Sequence, residues 1–300
     1  MFDYRYHALS LAAVLLALAV GVVIGVAIGD SNLVSSAKSG IVHELSSEVN
    51  AAQRQTGHLR SQLTSEEAFA NDLYPIAVHD LLGGRPIGLV FLGGSSNRIN
   101  DLVRGAVTQA GGDLMTVVAV REPLDLTGLA REAAGTHYAA LGTDQSKVGE
   151  QLVERFGKLV GTQLVSGGQL VNRELISRAR ARLLSAFDGQ LGRLEGLVVV
   201  RDDPTGMVPE QAQASAAFES GLIDGVAAVG VPTVGVELSN AEPSQIPWYQ
   251  SRSISSVDDL DTTAGQAALI YALTGAHGAF GTKSTADSLL PNVLGASTQR

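Results

Sequence analysis

Residues 9–28 read LSLAAVLLALAVGVVIGVAI, a run without charge in which Ser10 is the one polar residue. As an α-helix rising ~1.5 Å per residue, it would be about 30 Å long, matching the hydrocarbon core of a bilayer. A segment that crosses lipid must be helical, because its backbone amides find no partners outside it. The sequence after it is too polar to cross again. We therefore predict a leader and single transmembrane anchor at residues 1–29, followed by one globular body.

The charges around this segment predict its orientation. Arg5, His7 and the amino terminus precede it against Asp3, and Asp30 is the first charge after it. Because basic residues are retained in the cytoplasm, we expect a cytoplasmic amino terminus and an extracytoplasmic body at the cell membrane. A cleaved signal peptide is the alternative, but its apolar core is usually only ~7–15 residues long.

Small residues recur along one face of the predicted anchor. Gly21, Gly25 and Gly29 repeat every four residues, a spacing that lets two membrane helices approach closely. Glycine is also common in membrane helices, so this stripe alone leaves association open. The sequence that follows the anchor favours association.

A heptad pattern follows the anchor, with eight apolar residues in ten core positions, as is typical of a coiled coil. Thr56, Glu66 and Gly57 weaken it, and an amphipathic helix folded back on the body is the alternative. Continuity with the glycine stripe favours a parallel homodimer with a stalk at residues 30–75, which Pro75 would interrupt. The core positions are Val42, Leu45, Val49, Ala52, Thr56, Leu59, Leu63, Glu66, Ala70 and Leu73.

Short apolar runs then alternate with stretches of helical spacing. The predicted strands are 87–92, 114–120, 197–200 and 232–236, with 253–257 as a weaker fifth; the predicted helices are 99–110, 170–187, 211–224 and 262–273. This alternation predicts an α/β domain at residues 76–277 with a mostly parallel, doubly wound (Rossmann-like) sheet. Extra helices within residues 121–195 would form an insertion or a small cap, and residues 278–300 would form a tail.

Two loops would meet at the carboxyl ends of the strands, where open parallel sheets bind ligands. Residues 93–97 (GGSSN) could present amides to an anion, but they lack the GxGxxG spacing and also suit an ordinary turn. Asp202 and Asp203 are candidates for a cation site or an acid–base pair, although consecutive acids in a loop are usually solvated. We name no catalytic residue and no cofactor-binding residue.

The sequence lacks the motifs of several classes of enzyme and binding protein. There is no GxSxG elbow and no HExxH helix, and GTKS at 281–284 lacks the Gly-Lys pair of a phosphate loop, so a capped turn is the better interpretation. We expect no enzymatic activity. A net charge of −9 without a basic cluster argues against nucleic acid as partner. The absence of cysteine excludes disulfides and thiolate metal ligands.

Three segments carry a resemblance that runs from end to end: HALSLAAVLLALAVGVVIG at 7–25, VDDLDTTAGQAALIYAL at 257–273 and GAFGTKSTADSLLP at 278–291. With these segments the chain resembles the actinobacterial MctB-like family, named for a mycobacterial copper transport protein. The resemblance implies an envelope protein of copper transport or copper homeostasis. The family includes SteB-like proteins of corynebacteria, so the alternative is a cell-separation factor that links a cytoplasmic partner, bound at the leader, to extracytoplasmic cell-wall remodelling.

The residues themselves offer few ligands for copper. Cu(I) prefers thiolate and thioether sulfur, with imidazole also usable. Met115 and Met207 are the only internal methionines, and no two of the six histidines stand three or four residues apart. Copper is therefore implied by the resemblance alone, and the residues favour a dimeric, non-enzymatic binding or scaffold component that engages envelope proteins. The histidines are His7, His43, His58, His79, His137 and His277.

Overall fold

A computed structural model of the chain contains two compact units, Met1–Glu66 and Glu67–Arg300. The structure describes residues 4–29, 31–143, 146–167, 173–202 and 206–292; within its helices, the side chains of residues 4–5, 28, 31–43 and 173–176 lie outside the description.

The amino-terminal unit is helical. Helix α1, Tyr4–Ile28, contains a 22-residue segment, Tyr6–Ala27, that is long and apolar enough to cross a membrane. The prediction of one amino-terminal helix capable of spanning a bilayer is confirmed. Helix α2, Ser31–Ala77, extends over 47 residues and includes Pro75 in its last turn. The helix continues through Pro75 and ends at Ala77, two residues beyond the predicted end of the stalk.

The second unit is built on a seven-stranded sheet of order β3-β2-β1-β4-β5-β6-β7. All neighbouring strands are parallel except β2 and β3, which are antiparallel. The predicted α/β class with a mostly parallel sheet is confirmed. The strands are β1 Pro86–Leu92, β2 Asp113–Val120, β3 Leu184–Gly189, β4 Gly196–Arg201, β5 Thr233–Val236, β6 Ser255–Val257 and β7 Ala279–Phe280.

Helices cover both faces of this sheet. Leu89 and Phe91 of β1 pack into one apolar core with α3 and α9, whereas Val90 and Leu92 pack into the other with α5 and α7. Alternate side chains of a strand point to opposite faces, so a strand between two helical layers is apolar throughout. The helices are α3 Asn97–Gln109, α4 Leu126–Glu132, α5 Lys147–Ser166, α6 Arg173–Leu183, α7 Pro209–Ala227, α8 Ile246–Gln250 and α9 Thr263–Leu273, with a 3-10 turn at His137–Ala140.

The predicted helix at 170–187 is wrong in its last four residues, 184–187. Helix α6 ends at Leu183, and β3 follows at once, with Phe187 opposite Val118 and Ala186 opposite Ala119. Pairing with the open edge of β2 satisfies the backbone groups of this segment and overrides its helical spacing. The edge strand is therefore an antiparallel addition to an otherwise parallel sheet.

Helices α5 and α7 approach each other at four glycines, Gly157 and Gly161 of α5 and Gly221 and Gly225 of α7. A Cβ atom added at any of the four would overlap backbone atoms of the facing helix. Thr162 Oγ1 also donates a hydrogen bond to the carbonyl of Gly225, at 3.1 Å. The two helices thus pack backbone against backbone on one face of the sheet.

Candidate functional site

A crevice of the second unit lies at the carboxyl ends of β1, β4 and β5. The chain leaves β1 toward β2 on one side and β4 toward β5 on the other, so this is the topological switch point where doubly wound sheets bind ligands. The crevice has a volume of about 330 Å³. Its lining includes Ser95, Ser96, Arg201, Asp202, Glu237 and Gln245.

The predicted loop after β1 forms one wall of this crevice. Gly93 has a φ of +106°, a backbone conformation that favours glycine, and Ser96 caps α3 by accepting a hydrogen bond from the amide of Ile99 at 3.3 Å. A Cβ added at Gly94 would lie 3.3 Å from Asp202 Oδ2. The turn therefore brings the Asp202 carboxylate over the glycines. Asp203 lies outside the described residues.

Two carboxyl groups meet behind this wall. Glu219 of α7 is fully buried, and Arg201 Nε donates to its Oε2 atom at 2.9 Å. The pKa of Glu122 is raised from its usual 4.5 to about 8, mainly by burial and then by the charge of Glu219 and a hydrogen bond with its side chain. A carboxyl group with this pKa is mostly protonated at neutral pH, so Glu122 keeps its proton there.

Arg201 is fixed from several sides. Its Nη1 atom donates to Gln245 Oε1, and its backbone amide donates to the Tyr249 hydroxyl at 2.9 Å. Its guanidinium carbon lies 5.0 Å from the centre of the Trp248 ring. Arg201 forms an ion pair with buried Glu219, and its positive charge partly offsets the rise in the pKa of Glu122. The crevice can hydrogen-bond a polar molecule, but the carboxyl, amide and guanidinium groups in its lining do not fit Cu(I).

The GTKS segment is held by an internal carboxylate. The backbone amides of Thr282 and Lys283 donate to the carboxylate of buried Asp258, at 2.8 Å and 3.1 Å. Lys283 Nζ donates to Glu237 Oε1 and, at 2.9 Å, to the carbonyl of Ala241. The segment is a capped turn, as predicted, because Asp258 takes the position that a bound anion would need.

The apolar core positions of the heptad pattern are exposed in the amino-terminal unit. Leu45, Val49, Leu59 and Leu63 have between 47% and 59% of their surface accessible. The side chain of Val42 lies outside the described residues. These leucines and valine form an apolar stripe that the described residues of this unit leave uncovered.

The glycine stripe of α1 is equally open. A Cβ added at Gly21 or Gly25 would meet no atom within 4 Å, and one added at Gly29 would lie 3.0 Å from the carbonyl of Gly25 in its own helix. Among the residues that the structure describes, therefore, nothing packs against Gly21 or Gly25.

The chain is similar to known proteins over most of its length. The family described as copper transport outer membrane protein, MctB, matches residues 1–291. The chain belongs to the MctB family. Two proteins named copper transporter MctB, from Mycobacterium tuberculosis and Mycobacterium bovis, are each 26% identical to it over 292 residues, which cover 91% of this chain and 92% of the relative.

Methionine sulfur and histidine imidazole are the possible Cu(I) ligands of this MctB-family chain, and those that the structure describes lie far apart in the fold. Met115 lies near the amino end of β2, beside Gly192. Met207 lies in the connection between β4 and α7, with its sulfur 3.9 Å from Ser215 Oγ. His79, His137 and His277 are exposed at separate places. Within the described ranges, no group of three His, Cys, Asp or Glu side chains is arranged to hold a metal ion.

Sequence reasoning found the Asp202 loop of this MctB-family chain but missed its buried partners. Glu122 and Glu219 are 97 positions apart, and neither belongs to a recognised motif. Glu219 stands among apolar residues on the buried face of α7, and a charge in that pattern is the one signal that marks it.

Proposed function

We propose that this MctB-family chain is a non-enzymatic component of copper homeostasis in the cell envelope. In this proposal a parallel homodimer of the anchor and stalk holds the α/β domain outside the membrane, where the domain engages envelope proteins. Copper handling then depends on that assembly, and no copper passes along the chain itself. The leader remains in the cytoplasm, where it is available to a cytoplasmic partner.

The exposed apolar stripe of α2 is the observation that carries the proposal. Leu45, Val49, Leu59 and Leu63 recur at heptad spacing and stay about half exposed in a single chain. Burying a Leu or Val side chain contributes about 1.5–3 kcal/mol, so one copy of the chain forgoes a large stabilisation at these four positions. A second copy with the same heptad register is the partner that such a stripe fits.

The open glycines of α1 support the same arrangement. No described residue lies within 4 Å of a Cβ built at Gly21 or Gly25, so a second helix could approach there without a clash. Close approach of small residues is a principal source of helix association in lipid. A pair of chains joined along α1 would present its two α2 helices side by side and in parallel.

Copper tolerance of cells that lack the gene tests this function. We expect the wild-type chain to restore tolerance and Leu59→Asp/Leu63→Asp to fail, because two chains would place four carboxylates in one apolar seam. Ser61→Asp/Ser65→Asp is the matched control, since it adds the same charge on the outward face of the same turns. Met115→Leu/Met207→Leu should restore tolerance fully, because these changes conserve volume.

Each outcome has a definite meaning. Failure of the methionine variant with normal membrane levels would contradict the scaffold mechanism and favour direct copper binding. Full function of the Leu59→Asp/Leu63→Asp variant would contradict the role of the stalk. Unseparated cells with normal copper tolerance in the deletion strain would replace copper homeostasis by the cell-separation function.

A further inference from the structure

A second cavity in the α/β domain lies between the sheet and helices α5 and α6, apart from the switch-point crevice. Its volume is about 230 Å³. The lining is mostly apolar, and Val90, Val118, Val160, Leu164 and Phe187 contribute to it from three strands and α5. Cavities with mainly apolar walls can bind small apolar molecules.

One buried polar side chain lines this apolar cavity. Gln163 of α5 is only 3% exposed, and neither its Oε1 nor its Nε2 atom has a hydrogen-bond partner among the described residues. A buried carboxamide without partners is costly, since it gives up its bonds to water and receives nothing in return. A water molecule would need two to four polar partners to be held there. Ser177 and Arg180 are the other polar side chains in the described part of the lining, and neither forms a hydrogen bond with Gln163.

The cavity also has a wall that reaches solvent. Leu191 is 44% exposed, and Ser177 and Arg180 of α6 are exposed beside it. The guanidinium carbon of Arg180 lies 3.4 Å from the centre of the Phe187 ring, so it stacks over an apolar wall. A small molecule could enter past these side chains without opening the sheet.

We propose that this cavity binds a small, mainly apolar molecule that carries one hydroxyl group. The hydroxyl would donate to Oε1 of Gln163 and accept from its Nε2, which satisfies both atoms at once. An apolar cavity of about 150 Å³ accommodates benzene, so one of 230 Å³ suits a ligand of roughly eight to ten non-hydrogen atoms. The proposal depends neither on dimerisation nor on copper.

Binding of 4-ethylphenol and of ethylbenzene to the full chain in lipid nanodiscs provides the test. Equilibrium dialysis measures both probes, and nanodiscs that carry a cavity-filled variant, Val160→Phe, report uptake by lipid alone. We expect saturable binding of both probes to the wild-type chain. In Gln163→Leu we expect the affinity for 4-ethylphenol relative to ethylbenzene to fall about tenfold, because the hydroxyl loses its partner.

The same experiment can overturn the proposal. No saturable binding of either probe to a folded wild-type chain would exclude the site. An unchanged ratio of affinities in Gln163→Leu would show that the amide takes no part in binding. If Val160→Phe does not fold, Leu184→Phe fills the cavity from the edge strand, and probe binding that persists in that variant would place the site elsewhere.

Discussion

Replacement of Gly221 by alanine should destabilise the α/β domain through one methyl group. A Cβ at this position would overlap the carbonyl of Glu154 and would lie 3.0 Å from the amide nitrogen of Lys158. Both atoms belong to the backbone of α5, so no side chain can rotate away. Helices α5 and α7 must separate, and the contacts of Gly157, Gly161 and Gly225 open with them.

The size of this effect follows from two opposing terms. Overpacking in a well-packed core costs about 1–3 kcal/mol, and more when only backbone can move. Alanine is about 1 kcal/mol better than glycine inside a helix. Gly221 is one of four glycines at which the two backbones are in contact, so we place the cost of overpacking at about 3 kcal/mol. The better helix propensity of alanine offsets about 1 kcal/mol, and we expect a net loss of about 2 kcal/mol in the free energy of unfolding.

Urea unfolding of the full chain, followed by the fluorescence of its single tryptophan, Trp248, measures this change. Trp248 lies in α8 and reports on the α/β domain. Gly105→Ala is the matched control, because Gly105 lies inside α3 and an added Cβ would meet nothing within 4 Å. It should stabilise by about 0.5–1 kcal/mol. Equal stability of Gly221→Ala and wild type would refute the backbone-to-backbone packing of α5 and α7.

Three further predictions concern pH, association and orientation. Because folding raises the pKa of Glu122 from 4.5 to about 8, the folded chain keeps a proton that the unfolded chain releases, and stability should fall as pH rises through this window. Urea midpoints of Glu122→Gln should fall less over the same range, whereas an equally steep fall would assign the effect to another group. Gly21→Leu/Gly25→Leu should lower the fraction of dimer in membranes, whereas Val23→Leu, on the opposite face of α1, should not. Equal effects of the two variants would exclude the glycine face as the surface of association. Protease added to intact spheroplasts should remove the α/β domain and spare the anchor, and resistance until lysis would reverse the orientation.

The strands of the core could be predicted because their surroundings are uniform. β1 and β4 lie between two helical layers, so their residues form unbroken apolar runs that no solvent-facing position interrupts. The region around β3 could not be predicted in this way. Its residues continue the helical spacing of α6, and only the open edge of β2, distant in sequence, makes a strand the better structure there.

The position of the crevice could be predicted from the sequence, but the buried carboxyl groups behind it could not. The carboxyl ends of β1 and β4 meet at the switch point, which places the Gly93 turn beside Asp202 from topology alone. Glu122 and Glu219 approach only because α7 packs its buried face against the sheet below that point. The pKa of Glu122 depends on burial, which a linear sequence does not display.

The four glycines of the α5–α7 contact illustrate the same limit. Gly157 and Gly161, like Gly221 and Gly225, stand four residues apart, as the anchor glycines do. The spacing is visible in the sequence, but its meaning depends on which helix lies opposite. For α5 and α7 the partner is within the chain, whereas for α1 the partner that we propose is a second copy.

Disulfide crosslinking in membranes tests the parallel stalk most directly, since the chain contains no cysteine. Leu45 occupies a core position near the amino end of the heptad pattern, so Leu45→Cys can meet its own copy only if the two chains run parallel in register. Ser47→Cys is the control on the outward face. We expect rapid oxidation of Leu45→Cys to a covalent dimer and little from Ser47→Cys. A Leu45→Cys chain that stays monomeric, or that crosslinks no faster than Ser47→Cys, would contradict the dimeric stalk.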